Sequence, residues 1–113
     1  MKLPNLELAC VPESKITDYL LNRGHPAGRS KAVFFLRFGF TVARWDLLAG
    51  AILKHAESHE LVSMEKSSYG TRFVVDGSIT APDGTRLNIR CAWFIRDWIA
   101  APRFVTAHPL PKP

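Results

Sequence analysis

Cysteine is scarce: Cys10 and Cys91 are the only two in 113 residues, and no CxxC pair or cysteine–histidine ligand spacing accompanies them. That argues against a disulfide framework and a structural zinc site, and predicts two small buried hydrophobes in a reducing compartment. No uninterrupted apolar run is long enough to span a bilayer, and the N-terminus has no basic segment leading into an apolar one. Neither a membrane span nor a secretory leader is expected, and the expected location is the cytoplasm. A P-loop, a nucleophile elbow and a run of spaced carboxylates are all missing. Nucleotide hydrolysis, protease chemistry and metal-dependent nuclease chemistry are thereby disfavoured, and no metal or cofactor is expected. Internal repeats and low-complexity segments are also lacking.

Acidic residues are absent where basic ones gather. Arg23, Arg29, Lys31, Arg37 and Arg44 run with no carboxylate among them, and Arg86, Arg90, Arg96, Arg103 and Lys112 have only Asp97 for company. With a formal charge of +5, this clustering points either to a polyanionic partner, nucleic acid being the commonest, or to a solvated basic surface. The 47% hydrophobic content suffices for one core, so residues 1–113 read as a single domain, with 109–113 as an extended proline-rich tail.

The first half has helical periodicity. Pro12-Glu13-Ser14 opens a helix with Ile16, Tyr19 and Leu20 on one face, and Asn22-Arg23-Gly24 ends it. A second helix is expected from Ser30 as N-cap to Gly39, and a third from Arg44 or Trp45 to about Ser58–Glu60, with His55 on its apolar face and His59 near its end. The second half reads as strands over 61–65, 71–75, 78–81, 86–95 and 103–107, with Pro82-Asp83-Gly84 as a hairpin turn. In the longest strand Leu87, Ile89, Cys91, Trp93 and Ile95 face a core, while Arg86, Asn88 and Arg90 face away. The expected fold is α+β: two or three N-terminal helices packed on one face of a four- to five-stranded antiparallel sheet. Trp45, Trp93 and Trp98 read as core or rim packing.

Chemistry-bearing side chains gather first on the loop from Gly24 to Lys31. His25 lies between Gly24 and Pro26, where an imbdazole is either a general acid or base or an ordinary turn residue. Arg29 and Lys31 flank Ser30 at a helix start, where cations oppose the helix dipole unless an anion is bound. Tyr69-Gly70-Thr71 offers a phenol ahead of a strand. Arg86 and Arg90 either bind phosphate or line an exposed face. Thr106 and His108 close the last strand; sharing a face with Phe104 would set a hydroxyl and an imidazole at its end.

Four segments carry a family resemblance: Lys15 to Asn22, the loop His25-Pro26-Ala27-Gly28-Arg29-Ser30-Lys31-Ala32, Tyr69-Gly70-Thr71, and Pro102 to Ala107. In this order they resemble a bacterial domain family of unknown function, toxin-associated and about the size of this chain. The order of helices then sheet is more distantly similar to barnase/RelE-like RNase toxins. The resemblance implies a metal-independent endoribonuclease acting on RNA and restrained by a small antitoxin or immunity partner. His25, Lys31, Tyr69 and Thr106 would be its catalytic residues, and Arg29, Arg86, Arg90 and His108 its substrate contacts. One departure stands out, because His108-Pro109 replaces the family's frequent Tyr-Pro. The rival expectations are a non-catalytic nucleic-acid- or protein-binding module using the basic sheet face, and an adaptor whose loop only fixes a helix start.

Overall fold

A computed structural model describes residues 1–97 and 100–111, so the expectations for Trp98 and for the last two residues lie outside the described residues. Leu87, Ile89, Cys91, Trp93 and Ile95 alternate inward along strand β3 (Arg86–Ile95), as their spacing predicts. Around β3 lies a four-stranded antiparallel meander in the order β1-β2-β3-β4, with β1 at Leu61–Ser67, β2 at Gly70–Thr80 and β4 at Arg103–Pro109. Helix α1 (Glu13–Lys15) runs directly into a π-helical stretch, Ile16–Leu20; α2 spans Arg29–Arg37 and α3 spans Trp45–Ser58. The expected α+β architecture is what forms. Ile16, Leu20, Phe35, Leu48 and Ile52 from the helices meet Phe73, Val75, Trp93 and Phe104 from the sheet in one core.

The elements depart from the sequence reading at one strand gap and one cap. Two strands are expected over 71–75 and 78–81, yet a single β2 runs straight through Asp76 and Gly77. The lack of a side chain there lets the His59 ring lie against the strand; a Cβ on Gly77 would overlap that ring. Ser30 is not the N-cap of α2, which begins two residues earlier than that cap would set it, at Arg29, with Gly28 as its flanking residue and no side-chain capping bond. Gly84 does supply the positive φ of the β2–β3 hairpin, at 88°. Cys91 is buried, and burial pushes its thiol up, but Cys10 is exposed, contrary to expectation: it sits beside Arg103 at the sheet edge. The expected tail begins inside β4, since Pro109 closes that strand and the Leu110 N–H donates to the Asn88 carbonyl at 2.9 Å.

His55 gives the core a pH dependence. It is 1% exposed, and Nε2–H donates to the Ile89 carbonyl at 3.2 Å. Burial pushes the imidazole below its ordinary 6.5; the bond to the Ile89 carbonyl is the main pull in the opposite direction, and the neighbouring His59 adds to the fall. The folded protein therefore binds fewer protons than the unfolded chain just below pH 6.5. Unfolding free energy is expected to be fully retained above that pH and to fall as acid protonates the unfolded chain. Urea unfolding across this range checks it; a His55→Gln variant that shows the same slope would assign the effect elsewhere.

Candidate functional site

The π-helical stretch positions the centre of the site. Its i→i+5 bond, from Leu21 N–H to the Ile16 carbonyl at 2.8 Å, widens the last turn. Tyr19 leaves this turn half-buried and reaches the edge strand β4, where its hydroxyl and Thr106 Oγ1 lie 2.8 Å apart. Two ammoniums stand over the Tyr19 ring, Lys15 Nζ at 5.6 Å and Lys31 Nζ at 5.8 Å from its centroid. Each also donates to a carbonyl, Lys15 to Val105 at 3.4 Å and Lys31 to Ala27 at 3.3 Å. Among the described residues neither forms an ion pair, so their charge is available to an anion.

His25 completes the cluster, its ring edge-on to Tyr19 at 5.0 Å. Its Nδ1 accepts the N–H groups of both Ala27 and Gly28, each at 3.1 Å. Those two donors place the ring hydrogen on Nε2, because a hydrogen on Nδ1 would meet them head-on. In this geometry His25 holds the loop and presents Nε2–H as a donor. His108 has the opposite arrangement. Its Nδ1–H donates to the Pro109 carbonyl at 3.1 Å, which leaves a lone pair on Nε2.

A bulge in β4 decides which face these residues occupy. The register passes from Trp93↔Phe104 to Ala92↔Thr106, skipping Val105, so Phe104 stays on the core face while Thr106 and His108 share the other. Next to His108, across the ladder, is Arg90. Its guanidinium grips Asp76 through two bonds of 2.8 and 2.9 Å, and this pairing holds the Asp76 carboxyl below the usual carboxylate range. The basic sheet face expected from the sequence is thus neutralised at Arg90.

His25, Lys31 and Thr106 therefore converge on Tyr19. Arg29 stands exposed at the start of α2, while Arg86 donates Nε–H to Ser78 Oγ at 3.1 Å on the outer sheet face. Tyr69 is 81% exposed in the β1–β2 turn, and the strand order sets β2 two places from β4. Tyr19 and Lys15 were missed as functional groups, since Tyr19 reads as one apolar position in the Ile16, Tyr19, Leu20 row. The signal available was their presence in the first of the four resembling segments.

Fold and site together define a small α+β domain with hydroxyls and unpaired ammoniums at the edge of a meander sheet. The chain belongs to the family described as "Domain of unknown function (DUF6883)", whose model matches residues 2–111. Among proteins of curated function none matches. The fold is similar to that of a chain in a contact-dependent growth inhibition toxin–immunity protein complex from Klebsiella pneumoniae 342. The likeness has a TM-score of 0.72 at 16% identity and covers 90% of this chain and 100% of that one. Among the described residues no helix is long and apolar enough to cross a membrane, and no group of three His, Cys, Asp or Glu side chains is placed to hold a metal ion.

Proposed function

We propose that this domain is the toxin of a toxin–immunity pair and that it cleaves RNA by transphosphorylation without a resident metal. The observation that carries the reading is the Tyr19–Thr106 hydroxyl pair beside the ammoniums of Lys15 and Lys31. Metal-free cleavage needs cations for the phosphate, a base for the 2′-OH and an acid for the departing 5′-oxygen. The two lysines supply the charge. His108 Nε2 takes the proton from the 2′-OH as that oxygen attacks phosphorus, and the Tyr19 hydroxyl protonates the 5′-oxygen as its bond to phosphorus breaks. Two residues along a strand is about 7 Å, room for a ribose between His108 and a phosphate seated at Thr106. His25 keeps the loop in place through the two amides that its Nδ1 accepts. The likeness to a toxin–immunity complex supports the toxin setting and a small protein partner. A binding module working through a cationic sheet face is weakened, because Asp76 already occupies Arg90.

The test is induction of the wild-type chain in bacteria, paired with incubation of purified protein with RNA in the presence of a chelator. Growth arrest and cut RNA are expected. His108→Gln is expected to lose about 100-fold in cleavage. His25→Ala should lose most activity, whereas His25→Asn, whose side-chain oxygen can accept the same backbone N–H groups, should keep most of it. A harmless wild type that leaves RNA intact would sink the reading. Equal loss in both His25 variants would return His25 to an acid–base role.

A further inference from the structure

The outer face of the sheet, opposite the core, carries a row that the chemistry at Tyr19 leaves unused. Cross-strand register sets Arg72 of β2, Phe94 of β3 and Arg103 of β4 side by side. Alternation puts Phe94 on this face, because Trp93 and Ile95 on either side of it point into the core. Phe94 is half-buried but takes no part in the core cluster. Its ring fills the space above Gly70, where a Cβ would fall 2.6 Å from Phe94 Cζ and 2.8 Å from Cε1. Tyr69, the residue before that glycine, is 81% exposed.

A row built only for stability would close on itself. Arginine beside an aromatic ring can lay its guanidinium on the ring face. Among the described residues, neither Arg72 nor Arg103 stands over Phe94, and no other aromatic ring packs on it. Both arginines are exposed, and neither forms an ion pair among the described residues, although Glu65 lies opposite Arg72 across the β1–β2 ladder. The result is a ring without a stacking partner between two unpaired cations. This row is continuous with the Tyr19 cluster. Ala92 faces Thr106 across the β3–β4 ladder, and Phe94 is two positions further along β3, a step of about 7 Å. Single-stranded RNA matches such a surface with both its parts, since bases stack on rings and phosphates take guanidiniums.

We propose that Phe94, together with Tyr69, stacks a base flanking the scissile phosphate while Arg72 and Arg103 hold phosphates of the same strand, an inference that rests on the RNA reading and extends it to the path of the substrate. Every base has a π-face, so this surface selects unpaired RNA over duplex rather than one sequence. The test is a titration of the whole chain with a short 2′-O-methyl oligoadenylate, whose blocked 2′-oxygen cannot attack phosphorus, and with its abasic counterpart. Fluorescence anisotropy should show saturable binding of the first and about tenfold weaker binding of the second. The Phe94 ring protons should move upfield as the base stacks. Phe94→Leu keeps an apolar side chain without the π-face and should lose about tenfold in affinity, while Phe94→Tyr keeps most of it. Tyr69→Ala should weaken binding as well, and Arg103→Gln should lower the salt slope by about one. Urea unfolding of each variant close to wild type assigns these losses to the surface. Equal binding of the abasic strand, an unmoved Phe94 signal, or wild-type affinity in Phe94→Leu would overturn the inference while leaving RNA cleavage intact. Binding that depends on Phe94 in a chain that cuts no RNA would sustain it and sink the cleavage reading alone.

Discussion

Tyr19→Phe is expected to leave a folded protein whose RNA cleavage falls by about 10²–10³-fold in kcat. The change removes one oxygen and nothing else. The ring that packs edge-on against His25 and carries the Lys15 and Lys31 ammoniums remains, so substrate charge recognition and loop position should survive. What is lost is the hydroxyl 2.8 Å from Thr106 Oγ1. That bond contributes about 1 kcal/mol to stability, and Thr106 is only half-buried, so water can replace the lost partner. A small fall in thermal midpoint with a large fall in kcat and a near-constant KM is therefore the signature. Thr106→Val makes the complementary cut, removing the second hydroxyl while preserving shape. If Tyr19→Phe cleaves at the wild-type rate, the phenol has no part in proton transfer and the proposed acid is wrong.

How much of this was legible beforehand varies with the kind of interaction. The inward row of β3, the Pro82-Asp83-Gly84 turn and the span of α3 depend on local pattern and turn chemistry, and all three form where expected. Tyr19 was hidden because α-helical spacing places it with Ile16 and Leu20 in an apolar row. The widened π turn instead sends it to β4, and no propensity scale encodes an i→i+5 bond. Ser30 looked like a cap because of its type and position, whereas the amides ahead of α2 are held by the His25 imidazole, an uncommon acceptor for that task. The gap expected between strands 71–75 and 78–81 is closed, and Gly77 within it is an approach surface for a histidine 18 residues earlier in the chain. Arg90 looked free because its partner Asp76 lies across the β2–β3 ladder, and only the register brings the two together. Likewise a single bulged residue, Val105, fixes whether Thr106 faces the core or the site. The candidate residues were thus largely readable as a set; their grouping rested on long-range geometry.

Gly28→Ala is expected to damage both stability and activity, and it tests whether the loop and the π turn act as one unit. Gly28 has φ −102° and ψ −6°, a conformation open to other residues, so backbone freedom does not explain the glycine. Contact does. A Cβ there would lie 2.6 Å from the Tyr19 carbonyl oxygen and 2.9 Å from Tyr19 Cδ1. Neither neighbour can yield easily. The carbonyl accepts the Asn22 N–H at 3.3 Å, and the ring is pinned through its hydroxyl to β4. The methyl group must push α2 away from the π turn, at a cost of about 1–3 kcal/mol by analogy with overpacked cores. That displacement separates Lys31 from the hydroxyl pair, and a misplacement of about 1 Å can cost 10²-fold in rate. Gly24→Ala is the control: its added Cβ meets only Asn22 Oδ1, at 3.3 Å, and should unfold within about 0.5 kcal/mol of wild type. Urea unfolding of the two variants, with cleavage assayed well below the transition, separates the contact from a general intolerance of the loop. Matching stability and rate in both variants would mean that the packing of Gly28 on Tyr19 does not set the site.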